Sequence, residues 1–164
     1  MKFTRTISLL AFFSGSLFAA TTPLTAENIW QVARPSGLTV SPDGQRAIFS
    51  LTTFNLETDK GNADLQLLEL GSGKMTALTN HPDNDTQPAW SPDGRQVAFL
   101  SKRGAAQNQL MLMNVFGGEA KALTQLPVAV SAPTWFNDGK KILFVAFVPK
   151  DFNGDFKQLK TQLA

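Results

Sequence analysis

The tetrapeptide Ser-Pro-Asp-Gly occurs at residues 41–44 and again at residues 91–94, and a related turn, Phe-Asn-Asp-Gly, follows at residues 136–139. The aspartates of the three copies are 50 and then 45 positions apart. The apolar segments 65–70 and 110–115 are also separated by 45 positions. The turn motif and the apolar segment recur with the same spacing, which indicates a duplicated structural unit. A period in the forties is typical of a four-stranded propeller blade.

The chemistry of the turn explains why the motif recurs. Proline arrives with its backbone angle already set, the short aspartate side chain can bond the local backbone, and glycine adopts the left-handed angle that closes a bulged hairpin. The third copy has Phe136 and Asn137 in place of serine and proline. We therefore expect its hairpin to be less preorganised.

The repeat predicts an all-β fold, a partial β-propeller with two four-stranded blades at residues 36–80 and 86–125 and an incomplete third blade at 131–148. Val40, Trp90 and Trp135 hold equivalent positions before the turn and are predicted to pack between neighbouring blades.

Residues 149–164 carry apolar side chains at helical spacing, which predicts an amphipathic helix or an ordered insertion. Because two blades and part of a third cannot close a ring, we expect unpaired outer edges and an isolated chain that is marginally stable or aggregates.

The first twenty residues differ in kind from the rest. Lys2 and Arg5 precede a short apolar stretch that ends in Ala19 and Ala20, which is the order of a secretory signal peptide. A membrane anchor is the alternative, although the apolar stretch is short for a bilayer. We interpret residues 1–20 as an export signal, followed by a short helix at 25–34 capped by Thr25. This predicts a periplasmic or secreted protein with no membrane contact after leader cleavage.

Charge and cysteine content exclude several function classes. The chain has 15 basic and 13 acidic residues, and loss of Lys2 and Arg5 leaves 13 of each. A neutral mature chain lacks the clustered positive charge that nucleic-acid binding requires, so no nucleic-acid partner is expected. There is no cysteine, hence no disulfide framework and no thiolate chemistry.

The sequence contains no catalytic constellation that we can assign. A Gly-x-Ser-x-Gly nucleophile elbow does not occur in these 164 residues, and Ser41 and Ser91 are interpreted as the first residues of turns. His81 is the single histidine and is predicted to lie in a linker between blades. We therefore predict no catalytic, cofactor-binding or metal-binding residues in this chain.

Two short segments resemble ligand loops superficially. Residues 71–74, Gly-Ser-Gly-Lys, precede Met75 where a phosphate-binding loop needs Ser or Thr, so they are interpreted as a hairpin turn. Residues 83–86, Asp-Asn-Asp-Thr, lack the glycine and the distal glutamate of a calcium loop, so no calcium is expected.

The repeat resembles a known group of propellers. Residues 88–99, Pro-Ala-Trp-Ser-Pro-Asp-Gly-Arg-Gln-Val-Ala-Phe, followed by Gly-Gly-Glu at 117–119 and Ala-Leu-Thr at 122–124, are similar to the repeat of TolB-type propellers and of the N-terminal propellers of the prolyl oligopeptidase family. TolB-like proteins carry a sizeable domain ahead of the propeller, whereas about fifteen residues separate leader and first blade here. The opening therefore resembles exported dipeptidyl or acylaminoacyl peptidases more closely.

In that family the propeller caps a C-terminal α/β-hydrolase domain and restricts access to small peptides. The resemblance implies that this chain is the non-catalytic propeller portion of an exported serine peptidase, without its hydrolase domain and so without peptide hydrolysis of its own. The alternative is a stand-alone TolB-like periplasmic module that binds a protein partner through its blade-edge loops.

Overall fold

The computed structural model describes residues 23 and 25–162, so the predicted export signal at 1–20 lies outside the described residues. The described chain forms two short helices and ten strands in three antiparallel sheets. The elements, in chain order, are α1 (Ala26–Gln31), β1 (Arg34–Val40), β2 (Arg46–Asn55), β3 (Lys60–Glu69), β4 (Met75–Ala77), β5 (Asp85–Trp90), β6 (Gln96–Ser101), β7 (Gln109–Asn114), β8 (Lys121–Ala122), β9 (Val130–Trp135), β10 (Ile142–Ala146) and α2 (Phe156–Gln162).

Each sheet is a meander in which consecutive strands pair with one another. The strand orders are β1-β2-β3-β4, β5-β6-β7-β8 and β9-β10, which we call blade 1, blade 2 and blade 3. Strands β1, β5 and β9 are the first strands of their blades and lie next to one another. The prediction of an all-β partial propeller with two four-stranded blades and an incomplete third is therefore confirmed.

The Ser-Pro-Asp-Gly motif forms the turn between the first two strands of each full blade. In blade 2 the Ser91 hydroxyl donates to Asp93 Oδ1 at 2.6 Å, and the same hydroxyl accepts the backbone N–H of Gln96 at 2.9 Å. Gly94 closes the turn with φ of +66°. The hydrogen bond from Ser91 is the main reason that the pKa of Asp93 lies below its usual value.

The turns of successive blades also touch. A Cβ atom added to Gly94 would lie 3.6 Å from Cδ of Pro42, and one added to Gly139 would lie 3.8 Å from Cδ of Pro92. The proline of each motif therefore packs beside the glycine of the next blade. The motif both shapes a hairpin and aligns neighbouring hairpins.

Alternate side chains along each blade face the two neighbouring blades. Val97 and Phe99 of β6 belong to the core shared with blade 1, whereas Ala98 and Leu100 belong to the core shared with blade 3. This division follows from the period of two in a strand, which sends successive side chains to opposite faces. The first core contains Ile48, Leu65, Trp90, Val97, Phe99, Met111, Met113 and Val115, and the second contains Ala98, Leu100, Leu110 and Val130.

Strand β1 begins at Arg34, whereas the sequence predicted a helix over residues 25–34 and a first blade from residue 36. The reason is a bulge, since the register shifts between Ser36 and Thr39 and Gly37 has φ of +62°. The same position in the next blades, Gln87 and Ala132, also has a positive φ of 51°. The bulge is thus a third repeated feature of the blade.

Helices α1 and α2 lie at the two ends of the described chain, within segments where the sequence indicated helical structure. Thr25 caps α1 by accepting the N–H of Asn28 at 3.2 Å. Helix α2 buries Leu159, and the ring of Phe152 packs against Phe156 at a centroid distance of 4.8 Å. No helix in the described part of the chain is long and apolar enough to cross a membrane.

Candidate functional site

The linker from blade 1 to blade 2 is held by a polar latch against the middle of β3. The Thr79 hydroxyl accepts the N–H of Leu65 at 2.9 Å and donates to Asp64 Oδ1 at 3.3 Å. The same carboxylate oxygen accepts the N–H of His81 at 3.0 Å. A buried side chain in the linker thus completes the hydrogen bonding of the strand edge.

The linker from blade 2 to blade 3 repeats this latch with an amide. The Thr124 hydroxyl accepts the N–H of Leu110 and donates to Gln109 Oε1, and Gln109 Oε1 also accepts the N–H of Leu126, each at 2.9 Å. Each of these residues lies 45 positions after its counterpart in the first latch. The latch is therefore a structural part of the repeat.

An ion pair next to the first latch is not part of the repeat. Asp85 at the start of β5 is fully buried, and its Oδ2 accepts a hydrogen bond from Nη2 of Arg103. Arg103 also donates from Nε to the Ser101 hydroxyl at 3.2 Å. The positions 45 residues later are Val130, Ala146 and Val148, which are all apolar. Blade 2 therefore holds a charge pair with a buried carboxylate, between the start of β5 and the segment after β6, at positions that are apolar in blade 3.

The carboxyl of Asp85 is held in an unfavourable environment. Burial raises its pKa above the usual value, and this outweighs the neighbouring Ser101 and Thr79 hydroxyls and the Arg103 charge, which act in the opposite direction. Asp85 Oδ1 accepts no hydrogen bond from the residues that the structure describes. A buried ion pair of this kind adds little net stability, because the cost of desolvating both charges offsets their attraction.

A groove with a volume of 490 Å³ runs between blades 1 and 2. Arg103 and Glu119 supply charge of opposite sign, His81 supplies an imidazole, and apolar side chains complete the wall. The lining residues are Leu78, Thr79, Asn80, His81, Arg103, Met113, Gly118, Glu119 and Ala120. These lining side chains offer both charged and hydrogen-bonding groups. Among residues 23 and 25–162, no group of three His, Cys, Asp or Glu side chains is placed to hold a metal ion.

Residues singled out in the sequence are placed in structural roles. Ser41 and Ser91 donate to aspartates within their own turns. His81 lies in the linker, where its Nδ1 accepts the N–H of Asp83 at 3.0 Å. The structure brings His81 and Arg103 to one groove but leaves both serines in turns. Sequence reasoning missed Asp85 and Arg103, although the contrast between Asp85 and Val130 at equivalent positions was a usable signal.

The two loop-like segments are also structural. Residues 71–74 form the hairpin between β3 and β4, in which Glu69 N–H bonds the Lys74 carbonyl at 2.9 Å. In segment 83–86 the Asn84 Oδ1 accepts the N–H of Ala63 at 2.9 Å, and Asp85 bonds Arg103. These oxygens are directed at different partners and do not converge on one point.

Comparison with known proteins places these blades among peptidase and TolB propellers. The family model described as TolB beta propeller domain matches residues 22–163. Dipeptidyl-peptidase 5 of Porphyromonas gingivalis is 30% identical over 51% of this chain and 12% of its own length. The uncharacterized peptidase YuxL of Bacillus subtilis is 37% identical over 53% of this chain and 13% of its own length.

A solved structure agrees with the fold. Acylaminoacyl peptidase of Pyrococcus horikoshii superimposes with a TM-score of 0.60 at 19% identity, covering 78% of this chain and 19% of that chain. The chain therefore spans a small part, about an eighth, of the curated relatives that it matches. The matched part is the propeller.

Proposed function

This chain belongs to the TolB beta propeller domain family, and we propose on that premise that it is the non-catalytic, N-terminal propeller portion of an exported serine peptidase that acts on peptides. The observation that carries the proposal is the match to two proteins named as peptidases over one short stretch of their length. The role of the blades would be to restrict which peptides reach a hydrolase domain.

The packing supports a gating role. The two interfaces between blades are closed by apolar cores, and the latches at Thr79 and Thr124 tie each linker to the third strand of its own blade. The seam between blades 1 and 2 contains a buried carboxylate with one unbonded oxygen, Asp85 Oδ1. We place the more easily separated seam there, because an imperfectly satisfied buried charge weakens packing.

Activity and gene context test the proposal together. We expect the purified 164-residue chain to leave dipeptidyl and aminoacyl chromogenic substrates intact. We also expect the reading frame downstream of codon 164 to continue into a segment that contains Gly-x-Ser-x-Gly. Turnover by the chain itself, blocked by a serine-directed phosphonate, would contradict the proposal.

Gating has its own test in the complete peptidase. Thr79→Val removes a hydroxyl of the first linker that acts on the Asp85 carboxyl of blade 2, so it should weaken this interface and raise cleavage of long peptides relative to a dipeptidyl chromogenic substrate. Thr76→Val, on the exposed strand β4, is the matched control and should leave that ratio unchanged. If neither variant changes the ratio of long-peptide to dipeptidyl cleavage, gating at the interface between blades 1 and 2 is contradicted.

The second candidate is a stand-alone TolB-like periplasmic module that binds a protein partner, which the description of the matched family favours. A stop codon followed by an unrelated gene would favour this module over the peptidase. Both candidates propose export through residues 1–20, and detection of the processed chain in a periplasmic fraction would test that point.

A further inference from the structure

The sequence contains four places where an aspartate or an asparagine directly precedes a glycine. In each of them the side-chain Oδ1 accepts the backbone N–H of the residue after the glycine, at 2.9 to 3.1 Å, and the glycine has a positive φ. The four segments therefore share one local arrangement, the Asx turn. The pairs are Asp43-Gly44, Asp93-Gly94, Asp138-Gly139 and Asn153-Gly154.

The four turns differ in the partner of the glycine N–H. In the three Asp-Gly turns this N–H donates at 2.9 Å to the carbonyl oxygen two residues before the aspartate, namely that of Ser41, Ser91 or Phe136. The N–H of Gly154 makes no hydrogen bond to any residue that the structure describes. Asn153 and Gly154 are both exposed, and a Cβ added to Gly154 would meet nothing within 4 Å. The nitrogen of Gly154 is thus the one that solvent reaches.

We propose that Asn153 is a site of spontaneous deamidation, in which the backbone nitrogen of Gly154 attacks the side-chain amide carbon. The nitrogen gives its proton to solvent and forms a bond to Cγ of Asn153, while the Cγ–Nδ2 bond breaks and Nδ2 takes up a proton and leaves as ammonia. One water molecule then opens the succinimide ring at either carbonyl, which yields aspartate or isoaspartate. No electron is transferred. The proposal rests on contacts within one short segment and is independent of the peptidase assignment.

The hydrogen bond of the glycine controls this reaction because the nitrogen must lose its proton before it attacks. In the three Asp-Gly turns a carbonyl oxygen holds that proton, and its loss would break the bond that closes the turn. Their side chains are also carboxylates, and an ionised carboxylate is a poor electrophile. The hydroxyls of Ser41 and Ser91 lower the pKa of Asp43 and Asp93 and so favour that ionised form. Asn153 has neither protection.

Deamidation should loosen the start of α2. Asn153 Nδ2 donates to Gln158 Oε1 at 2.9 Å, and either product replaces this donor with a carboxylate oxygen that only accepts. Isoaspartate also adds a methylene group to the main chain two residues before Asp155. The Oδ1 of Asp155 accepts the N–H groups of Lys157 and Gln158 and so caps the helix. The first turn of α2 is therefore the part of the chain that the modification disturbs.

A second Asn-Gly pair in a closed turn provides the matched control. Asp93→Asn places an asparagine before Gly94, whose N–H donates to the Ser91 carbonyl. The full 164-residue chain with this substitution is incubated at neutral pH, with and without urea, and the exchange of NH2 for OH is followed by peptide mass spectrometry. In the folded chain we expect position 153 to react about tenfold faster than position 93. In urea the two rates should become similar, because the turn hydrogen bonds are lost.

Two outcomes of this comparison would overturn the proposal. One is an intact Asn153 in the folded chain after a time that modifies the unfolded chain. The other is an equal rate at positions 93 and 153 in the folded chain, because the hydrogen bond of the glycine would then not select the site.

Amide exchange tests the effect on α2. Incubation of the unsubstituted chain should speed exchange at residues 156–159. Asn153→Ser keeps an oxygen acceptor for the Asp155 N–H but cannot form the ring, so the same incubation should leave its exchange unchanged. Equal acceleration in both chains would contradict loosening by deamidation.

Discussion

The indole nitrogen of Trp90 donates a hydrogen bond of 3.3 Å to the carbonyl oxygen of Thr39, which joins blade 2 to the first strand of blade 1. Trp135 repeats the bond, donating at 3.1 Å to the Ala89 carbonyl in blade 2. The two tryptophans therefore make equivalent hydrogen bonds to the preceding blade, as their positions before the turn predicted. Val40, the third member of the series, is 47% exposed because no described blade precedes blade 1.

Trp90→Phe should lower the free energy of unfolding by about 1–2 kcal/mol, since it removes one interblade hydrogen bond and leaves a small void. Trp135→Phe should cost less, because Trp135 is only half-buried. Urea unfolding followed by far-ultraviolet circular dichroism would measure both. A larger effect at Trp135 would contradict this ranking.

Thr79→Val tests the latch. The variant keeps the shape of the side chain but leaves the buried N–H of Leu65 without its acceptor, so we expect a loss of about 1–3 kcal/mol in the free energy of unfolding. Thr76→Val on the exposed strand β4 is the matched control and should change it by less than about 0.5 kcal/mol. Equal effects would mean that the Thr79 hydroxyl is not an important latch.

Asp85→Asn should change how stability depends on pH. Because the pKa of Asp85 is raised in the folded state, its contribution to stability is fully present below the unfolded pKa of 3.8 and is lost as pH rises through the folded pKa. Asparagine does not titrate, so the variant should gain stability relative to the parent as pH rises from about 4 towards neutrality. Chemical denaturation across this pH range measures the free energy of unfolding of the variant relative to the parent. If that relative stability falls as the pH rises, the pKa of Asp85 is not raised in the folded state.

Gly37→Ala and Gly44→Ala test backbone strain in two different surroundings. Both glycines have left-handed φ angles, +62° and +68°, so each variant should lose about 1–2 kcal/mol in the free energy of unfolding. A Cβ at Gly37 would lie 3.4 Å from Pro88 Cδ, which is an ordinary van der Waals contact, whereas one at Gly44 meets nothing within 4 Å. The two losses, measured by urea unfolding, should therefore be similar. A much larger loss at Gly37 would mean that the contact with blade 2 is a clash.

Much of the fold was predictable because the turns and strands of the repeat depend on residues that are close together in the sequence. The turns at 41–44 and 91–94 need proline, aspartate and glycine at fixed places, and alternation in β6 divides Phe99 from Leu100 between two cores. The beginning of β1 at Arg34 was missed because a bulge and a helix stop use the same residues, proline, serine and glycine. Only pairing with β2 distinguishes the two.

The candidate site was much less predictable. Asp85 and Arg103 are 18 positions apart, and each looks like an ordinary loop charge until β5 pairs with β6. The groove that Arg103 lines depends on side chains from both blade 1 and blade 2.

By itself the sequence determined the repeating unit, its strand count and its turns, because those depend on residues close together in the chain. Only the tertiary structure decided which charge is buried and which prolines meet which glycines. Those properties arise where one blade packs on the next, between residues that no local pattern connects.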